Sequence, residues 1–217
     1  NEIYNEYKSS KNIDKEILDQ FPLAEKVTEL LGLTLLPMDH YEADDAIASV
    51  CELFKNENVE IIIGSLDKDL MQCLNVKNIS MYSTRYKSFT TGDDVYKKFG
   101  VHPHQIPDFL ALVGDSSDGI PGMNGIGEKT ASALLQEYEN IENIYQNLNI
   151  WKNNIRSGER HANTIFENYE LLKLFKSLTT LRLDVKVPKT IEKYSLSQLS
   201  SVELKKFSEK YQLNICL

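Results

Sequence analysis

The chain has 217 residues, with 41% hydrophobic and 26% charged residues and a formal net charge of −8. That is enough to bury a sizeable core, as one domain or as a main domain with a smaller appendage. No apolar run approaches membrane-spanning length and no signal-peptide pattern opens the chain. The acidic balance argues against a simple polyanion binder, and three widely spaced cysteines without a CxxC pair suit small core positions in a reducing compartment.

In chain order, Tyr4, Tyr7, Lys8 and Lys11 offer aromatic faces and cations, a pattern shared by strand-binding surfaces and solvated amphipathic helices. Residues 22–31 carry Leu23, Val27, Leu30 and Leu31 at helical spacing, with Gly32 as the stop. A short buried strand is predicted at 33–37. Glu42, Asp44 and Asp45 then lead a helix whose apolar face is Ile47, Val50, Cys51 and Phe54. Capping accounts for one or two of these acids. Three crowded carboxylates repel one another unless a cation sits among them, which points to a metal site.

Residues 59–63 form a continuous β-branched run, expected as a parallel strand buried on both faces. Asp67 and Asp69 follow at its carboxyl end, where ligands collect in open α/β sheets. One of the two would serve as a cap for the next helix, and the second lacks such an explanation. A β-hairpin is expected over 78–90, a helix from Thr91 to Phe99 stopped by Gly100, and another over 103–114. One apolar-periodic helix over 160–178, an extended segment at 184–188 and two short helices over 195–211 complete the chain. The four histidines show no ligand spacing and receive no role.

Between these lies GDSSDGIPGMNGIGEKTASALL (114–135). Asp115 and Asp118 open it, and Gly119, Pro121, Gly122, Gly125 and Gly127 make it turn-rich. A helix then starts with Lys129 and Thr130 in its first turn. Glycines allow close backbone approach, and a helix start presents unpaired N–H groups to an anion. GIGEKTA therefore reads as the second half of a helix–hairpin–helix that holds a nucleic-acid phosphate, with a plain turn between packed helices as the alternative. Strand–helix alternation before residue 100 and helices after it give an α/β sheet with a helical extension.

With these motifs the chain resembles the 5′–3′ exonuclease and flap-endonuclease family, in particular the nuclease domain of bacterial DNA polymerase I and its free-standing relatives. The family's usual run is GDxSDNIPGVPGIGPKTA, where this chain has Gly119 for Asn, Met123-Asn124 for Val-Pro and Glu128 for Pro. YEADDAIA (41–48), LDKDLMQ (66–72) and EYKSSK (6–11) extend the likeness; Lys8 matches the lysine of the family's YKANR, while Lys11 replaces its arginine. The resemblance implies a mainly parallel sheet flanked by helices, PIN-like, over 1–113, with the remnant of a helical arch, followed by a helix–hairpin–helix region and C-terminal helices over 114–217. It implies Mg²⁺ or Mn²⁺, as two ions about 3.5–4 Å apart, held by Glu42, Asp44, Asp45, Asp67, Asp69, Asp115 and Asp118. Lys8, Asp45 and Asp67 would stand at the reacting phosphodiester. Tyr7, Lys8, Lys11, Gly125, Gly127, Lys129 and Thr130 would contact DNA, and carbonyls of the Met123–Ile126 neighbourhood would hold potassium.

The substrate implied is double-stranded DNA with a 5′ end or 5′ flap, in replication and repair. The expected setting is a cytoplasmic, nucleoid-associated monomer, with a polymerase domain following in some relatives. The family's first strand and two early aspartates would precede Asn1, so an N-terminally truncated chain is expected. Two further readings are a DNA-binding relative without activity and a PIN-like endoribonuclease, which does not need the hairpin.

Overall fold

The structure, a computed structural model, describes Tyr4, Tyr7 and residues 14–213. In chain order come helices α1 (Lys15–Leu18), α2 (Phe21–Leu30) and α3 (Ala43–Phe54), then strand β1 (Ile61–Gly64). A 3₁₀ segment (Asp69–Asn75) leads to β2 (Ile79–Ser83) and β3 (Ser88–Thr90). Helices α4 (Gly92–Phe99) and α5 (Ile106–Val113) are followed by α6 (Glu128–Tyr138), α7 (Ile141–Gln146) and α8 (Leu148–Trp151). The last helices are α9 (Gly158–Glu167), α10 (Tyr169–Thr179) and α11 (Ser201–Tyr211). No described helix is long and apolar enough to cross a membrane.

Two compact units emerge. The first holds residues 1–10 and 42–185, the second residues 11–41 and 186–217. The expected division at residues 113 and 114 falls inside the first unit.

The sheet of the first unit is small and mixed. β1 pairs parallel with β2, Ile61 opposite Ile79, and β2 pairs antiparallel with β3, Met81 opposite Thr90. The expected hairpin is there. β1, however, lies at the edge of the described sheet and is covered on one face: Ile63 is buried while Ile62, on the opposite face, keeps half its surface exposed. The β-branched run predicted the parallel pairing correctly but not the burial on both faces. The segments expected as extended strands at 33–37 and 184–188 have no sheet partner. Thr34 Oγ1 instead donates to the Lys193 carbonyl within the second unit (2.9 Å), and the Val185 N–H donates to Ser49 Oγ on α3 (3.1 Å).

Helix α5 is the core element of the first unit, with Ile106 through Leu112 all buried. Its apolar run would be satisfied by any greasy neighbour; polar ties fix which one. Thr179 Oγ1 on α10 donates to the Pro107 carbonyl (3.0 Å), and Gln105 Nε2 donates to the carbonyls of Leu135 and Glu139 at the end of α6 (both 2.9 Å). Buried Asp108 accepts from the Ile141 N–H that starts α7 (3.0 Å) and from Lys176 Nζ on α10 (2.8 Å). Burial still leaves the Asp108 carboxyl above its ordinary value, despite the Lys176 charge.

The single helix expected over 160–178 is broken at Asn168, whose side-chain amide donates to the Thr164 carbonyl (2.8 Å) while its own carbonyl accepts from Leu172 (2.9 Å). Asparagine competes locally for backbone partners, so it ends one helix and starts the next. The predicted core positions Ile165, Leu172 and Phe175 are fully buried; Leu171 is exposed. In the second unit the tail has a 3₁₀ turn (Ile191–Tyr194) and α11, with Leu30 of α2 and Leu204 of α11 buried.

Lys176→Met should leave the Asp108 carboxylate buried without its cation. The expected cost is about 2 kcal/mol at neutral pH, below the roughly 3–5 typical of a fully buried pair because Lys176 is 26% exposed. Urea unfolding measures it, and Asp108→Asn in the same chain should return part of the loss.

Candidate active site and phosphate-binding hairpin

Three acidic motifs meet in the first unit, and the local structure separates their members. Glu42 is the N-cap of α3, and its side chain accepts from the Asp45 N–H while Asp45 Oδ2 accepts from Glu42 N (3.4 Å), a reciprocal capping box. The other oxygen of Asp45 accepts from the Arg182 N–H (2.9 Å). Capping thus engages two of the three acids of this motif. Asp44 projects from the same turn, half-buried.

At the end of β1, Asp67 Oδ1 accepts from the Asp69 N–H (3.0 Å) and Asp67 N donates to Ser65 Oγ (3.1 Å). Asp67 thus makes a local turn that holds the first N–H of the 3₁₀ segment, whose N-cap is Lys68, and Asp69 is the acid without that explanation. Asp69 is buried, and its Oδ1 has no hydrogen-bond partner. Burial pushes its carboxyl up to about 7, helped by the charges of Asp67, Asp118, Asp115 and Asp44. One carboxyl thus senses acids from all three motifs.

Asp115 and Asp118 are also buried. Their loop closes on itself through paired backbone bonds between Asp115 and Ile120 (2.8 Å each way). Gly119 sits there at φ +75°, a left-handed position that Asn and Gly adopt most readily. Burial pushes the Asp115 carboxyl up, but the Ser117 hydroxyl and N–H and the Lys68 ammonium outweigh it and hold it below its ordinary value. Lys68 Nζ stands 3.4 Å from Asp115 Oδ2. This cation, inside LDKDL, is a site member that motif reading passed over as the spacer between two aspartates.

Among the described residues, no three acids, cysteines or histidines converge closely enough to hold a metal ion directly. An orphaned oxygen on a buried carboxyl in an acidic field nevertheless fits a cation that carries its own water shell.

The hairpin follows at once. Met123 N donates to the Leu112 carbonyl (2.8 Å), so the chain returns to the end of α5. Met123 and Ile126 bury their side chains, and Ile126 N donates to the Met123 carbonyl (3.0 Å). Gly125 adopts φ +85°, and Gly127 is the N-cap of α6. A Cβ on Gly127 would meet nothing within 4 Å, so the start of α6 is open. The N–H groups of Glu128, Lys129 and Thr130 have no partner inside the helix. Lys129 is exposed and Thr130 half-buried. Arg160 of α9 adds a cation: its guanidinium carbon lies 3.9 Å from where a Gly125 Cβ would stand. Sequence spacing gave no signal for Arg160, because only the packing of α9 brings it to the hairpin. Tyr7 is half-buried and packs against the core cluster. Lys8 and Lys11 lie outside the described residues.

The Asp69 carboxyl has a measurable consequence. Between about pH 4 and pH 7 the folded protein keeps a proton there that the unfolded chain has released, so stability falls as pH rises through this window. Without divalent metal, Asp69→Asn should flatten that slope and be the more stable protein at pH 8. The shift from 3.8 to about 7 sets a ceiling of about 4 kcal/mol. Denaturant unfolding at several pH values checks it.

Residues 1–100 match the 5′-3′ exonuclease N-terminal resolvase-like domain, and residues 101–201 match the 5′-3′ exonuclease C-terminal SAM fold. A 5′-3′ exonuclease of Aquifex aeolicus is 38% identical over 178 residues, 81% of this chain and 60% of that protein. One from Buchnera aphidicola of Schizaphis graminum is 32% identical over 216 residues, covering 99% of this chain and 75% of its own length. The chain thus spans less than two thirds of the Aquifex protein. A solved bacteriophage T5 flap endonuclease, in complex with DNA and metal ions, superposes with a TM-score of 0.68 at 21% identity, covering 97% of this chain and 77% of that one. At that identity the superposition speaks for the fold: a PIN-like nuclease core with a helical C-terminal region. With both halves matched in order and a relative covered over three quarters of its length, the chain belongs to the 5′-3′ exonuclease family.

Proposed function

We propose that this protein is a divalent-metal-dependent 5′ nuclease that hydrolyses phosphodiesters of double-stranded DNA bearing a 5′ end or a 5′ flap. The observation that carries the reading is Asp69, a buried carboxyl with an unpartnered oxygen in the field of acids from three motifs. Asp69, Asp115, Asp118, Asp67 and Asp44 supply the oxygens, for Mg²⁺ or Mn²⁺, largely through bound water. Glu42 and Asp45 hold the start of α3 and so set where Asp44 points. Two such ions, when bound, provide an activated water and stabilise the leaving oxygen.

The chain's own part is to bind and orient. The open start of α6, Lys129 and Arg160 form a local positive surface on an acidic protein, and the N–H groups of Lys129 and Thr130 point at a phosphate. Backbone contacts of this kind fix the duplex in register without reading its sequence. Carbonyls between Met123 and Ile126 are offered to a potassium ion. Lys8, Lys11 and Tyr7 are assigned to the 5′ strand, with Lys8 balancing charge on the phosphoryl group. The protein acts as a monomer.

A DNA-binding relative without hydrolysis is the second reading, favoured by the lack of a direct three-ligand cluster among the described residues.

With a 5′-flap DNA, cleavage should require Mg²⁺ or Mn²⁺ and stop with a chelator. Asp115→Asn should lower cleavage by about 10–100-fold while flap affinity in Ca²⁺ holds or rises. Lys129→Ala should weaken binding evenly across sequences and reduce the log–log salt slope by about one. Intact binding with no cleavage in any divalent metal would favour the second reading, and an unchanged salt slope would return the hairpin to an ordinary turn.

A further inference from the structure

Two cysteines far apart in the sequence meet behind the acidic motifs. Cys51 lies on the buried face of α3, seven residues after Asp44, and is 3% exposed. Cys73 lies in the 3₁₀ segment, four residues after Asp69, and is half-buried. The two elements pack together, and both thiols line one cleft of about 610 Å³ that also holds Glu52, Lys55 and Gln72. On this shared wall the two thiols are close enough for each to bear on the other's ionisation. Core cysteines usually behave as small hydrophobes; here two of them share the wall of a cleft with charged residues.

We propose that Cys51 and Cys73 are a redox modification site that forms a reversible disulfide, cross-linking α3 to the segment Asp69–Asn75.

The pair divides the work by position. The neighbouring Cys73 thiol holds the Cys51 thiol below its ordinary value against the opposing effect of burial, whereas Cys51 and burial push Cys73 up. Cys51 is thus the attacking sulfur and Cys73 the resolving one. With a hydroperoxide as oxidant, the Cys51 thiolate attacks the terminal oxygen and the O–O bond breaks. In hydrogen peroxide the departing hydroxide takes a proton to become water, leaving a sulfenic acid. The Cys73 sulfur then attacks the Cys51 sulfur, the S–O bond breaks, and the leaving hydroxide takes the Cys73 proton as a second water. Two thiols and one peroxide give one disulfide and two waters; the sulfur pair loses two electrons and the peroxide gains them. Closing the bond brings the sulfurs to about 2.05 Å. Its product tethers the two elements that carry Asp44 and Asp69.

Cys216 supplies an internal comparison. The full chain is treated with hydrogen peroxide, remaining thiols are alkylated, and the digest is mapped by mass spectrometry without reductant. The expected product is a peptide pair joined through Cys51 and Cys73 that separates with dithiothreitol, forms equally in C216S and is missing in C73S. The oxidised C216S chain should also melt several degrees above its reduced form, because the link closes a loop in the unfolded chain. Recovery of both residues as alkylated thiols or as separate sulfinic acids, or linkage of either to Cys216 instead, would overturn the proposal. The mapping of the unsubstituted chain decides the matter even where a variant folds poorly.

Discussion

The site depends on one close backbone contact at the end of α5. The carbonyl carbon of Val113 and the nitrogen of Gly114 lie only 2.4 and 2.5 Å from where a Cβ on Gly122 would stand. Gly114 faces the Ile120 carbonyl with as little room, at 2.7 Å. Both glycines also hold positive φ, at +92° and +70°. A side chain at either position would meet backbone that cannot move aside, so the loop 115–120 and the turn after it can press together only as glycine-bounded turns. The bond from Met123 N to the Leu112 carbonyl closes the arrangement. Since α5 is buried along its length and tied by Asp108, Thr179 and Gln105 to three other helices, everything attached to its end inherits that rigidity. Acids and hairpin are thereby held on one short stretch of fixed backbone.

That rigidity accounts for the electrostatic state of the acids. A mobile loop would let carboxylates spread apart and find water. Here Asp69, Asp115 and Asp118 are buried together, and the Lys68 ammonium stands beside Asp115. The responses diverge accordingly. Asp115, bonded by Ser117 and faced by Lys68, is held ionised, whereas Asp69, with an unpartnered oxygen, is driven toward its neutral form. Carboxyls pushed apart in this way suit the cation proposed above for this cluster. The surrounding caps have a complementary role: Glu42, Asp45 and Asp67 use backbone bonds to fix the helix starts from which the less engaged acids project.

The hairpin shows how a chain of net charge −8 can present a cationic face. Charge averaged over the sequence says little about a particular surface, because phosphate affinity is decided within roughly a Debye length, about 8–10 Å. Lys129 lies in the first turn of α6, and the packing of α9 brings Arg160 to Gly125, two residues before the α6 N-cap. Glu128 in the first turn works against them and is compatible with the helix dipole rather than with an anion.

Residue type and spacing alone established much of this. The helix starts at Glu42, Thr91 and Gly127 are written in local capping chemistry, and the parallel pairing and following hairpin in β-branched runs and turn residues. The order of acidic motifs and glycines carried the family resemblance because such chemistry needs those residues at those spacings. Tertiary structure decided what spacing could not. Asp67 holds a backbone N–H while Asp69 is left with an orphan oxygen, a distinction that depends on which N–H each carboxylate meets. Among the described residues the run 59–63 pairs on one side only and 33–37 and 184–188 have no sheet partner; β-propensity reports fitness for a half-buried surface and not the presence of a neighbour. Arg160 reached the hairpin and Cys73 reached Cys51 only through helix packing, across 35 and 22 residues of chain. Local patterns act over a few residues, and long-range approach is set by how buried faces fit together.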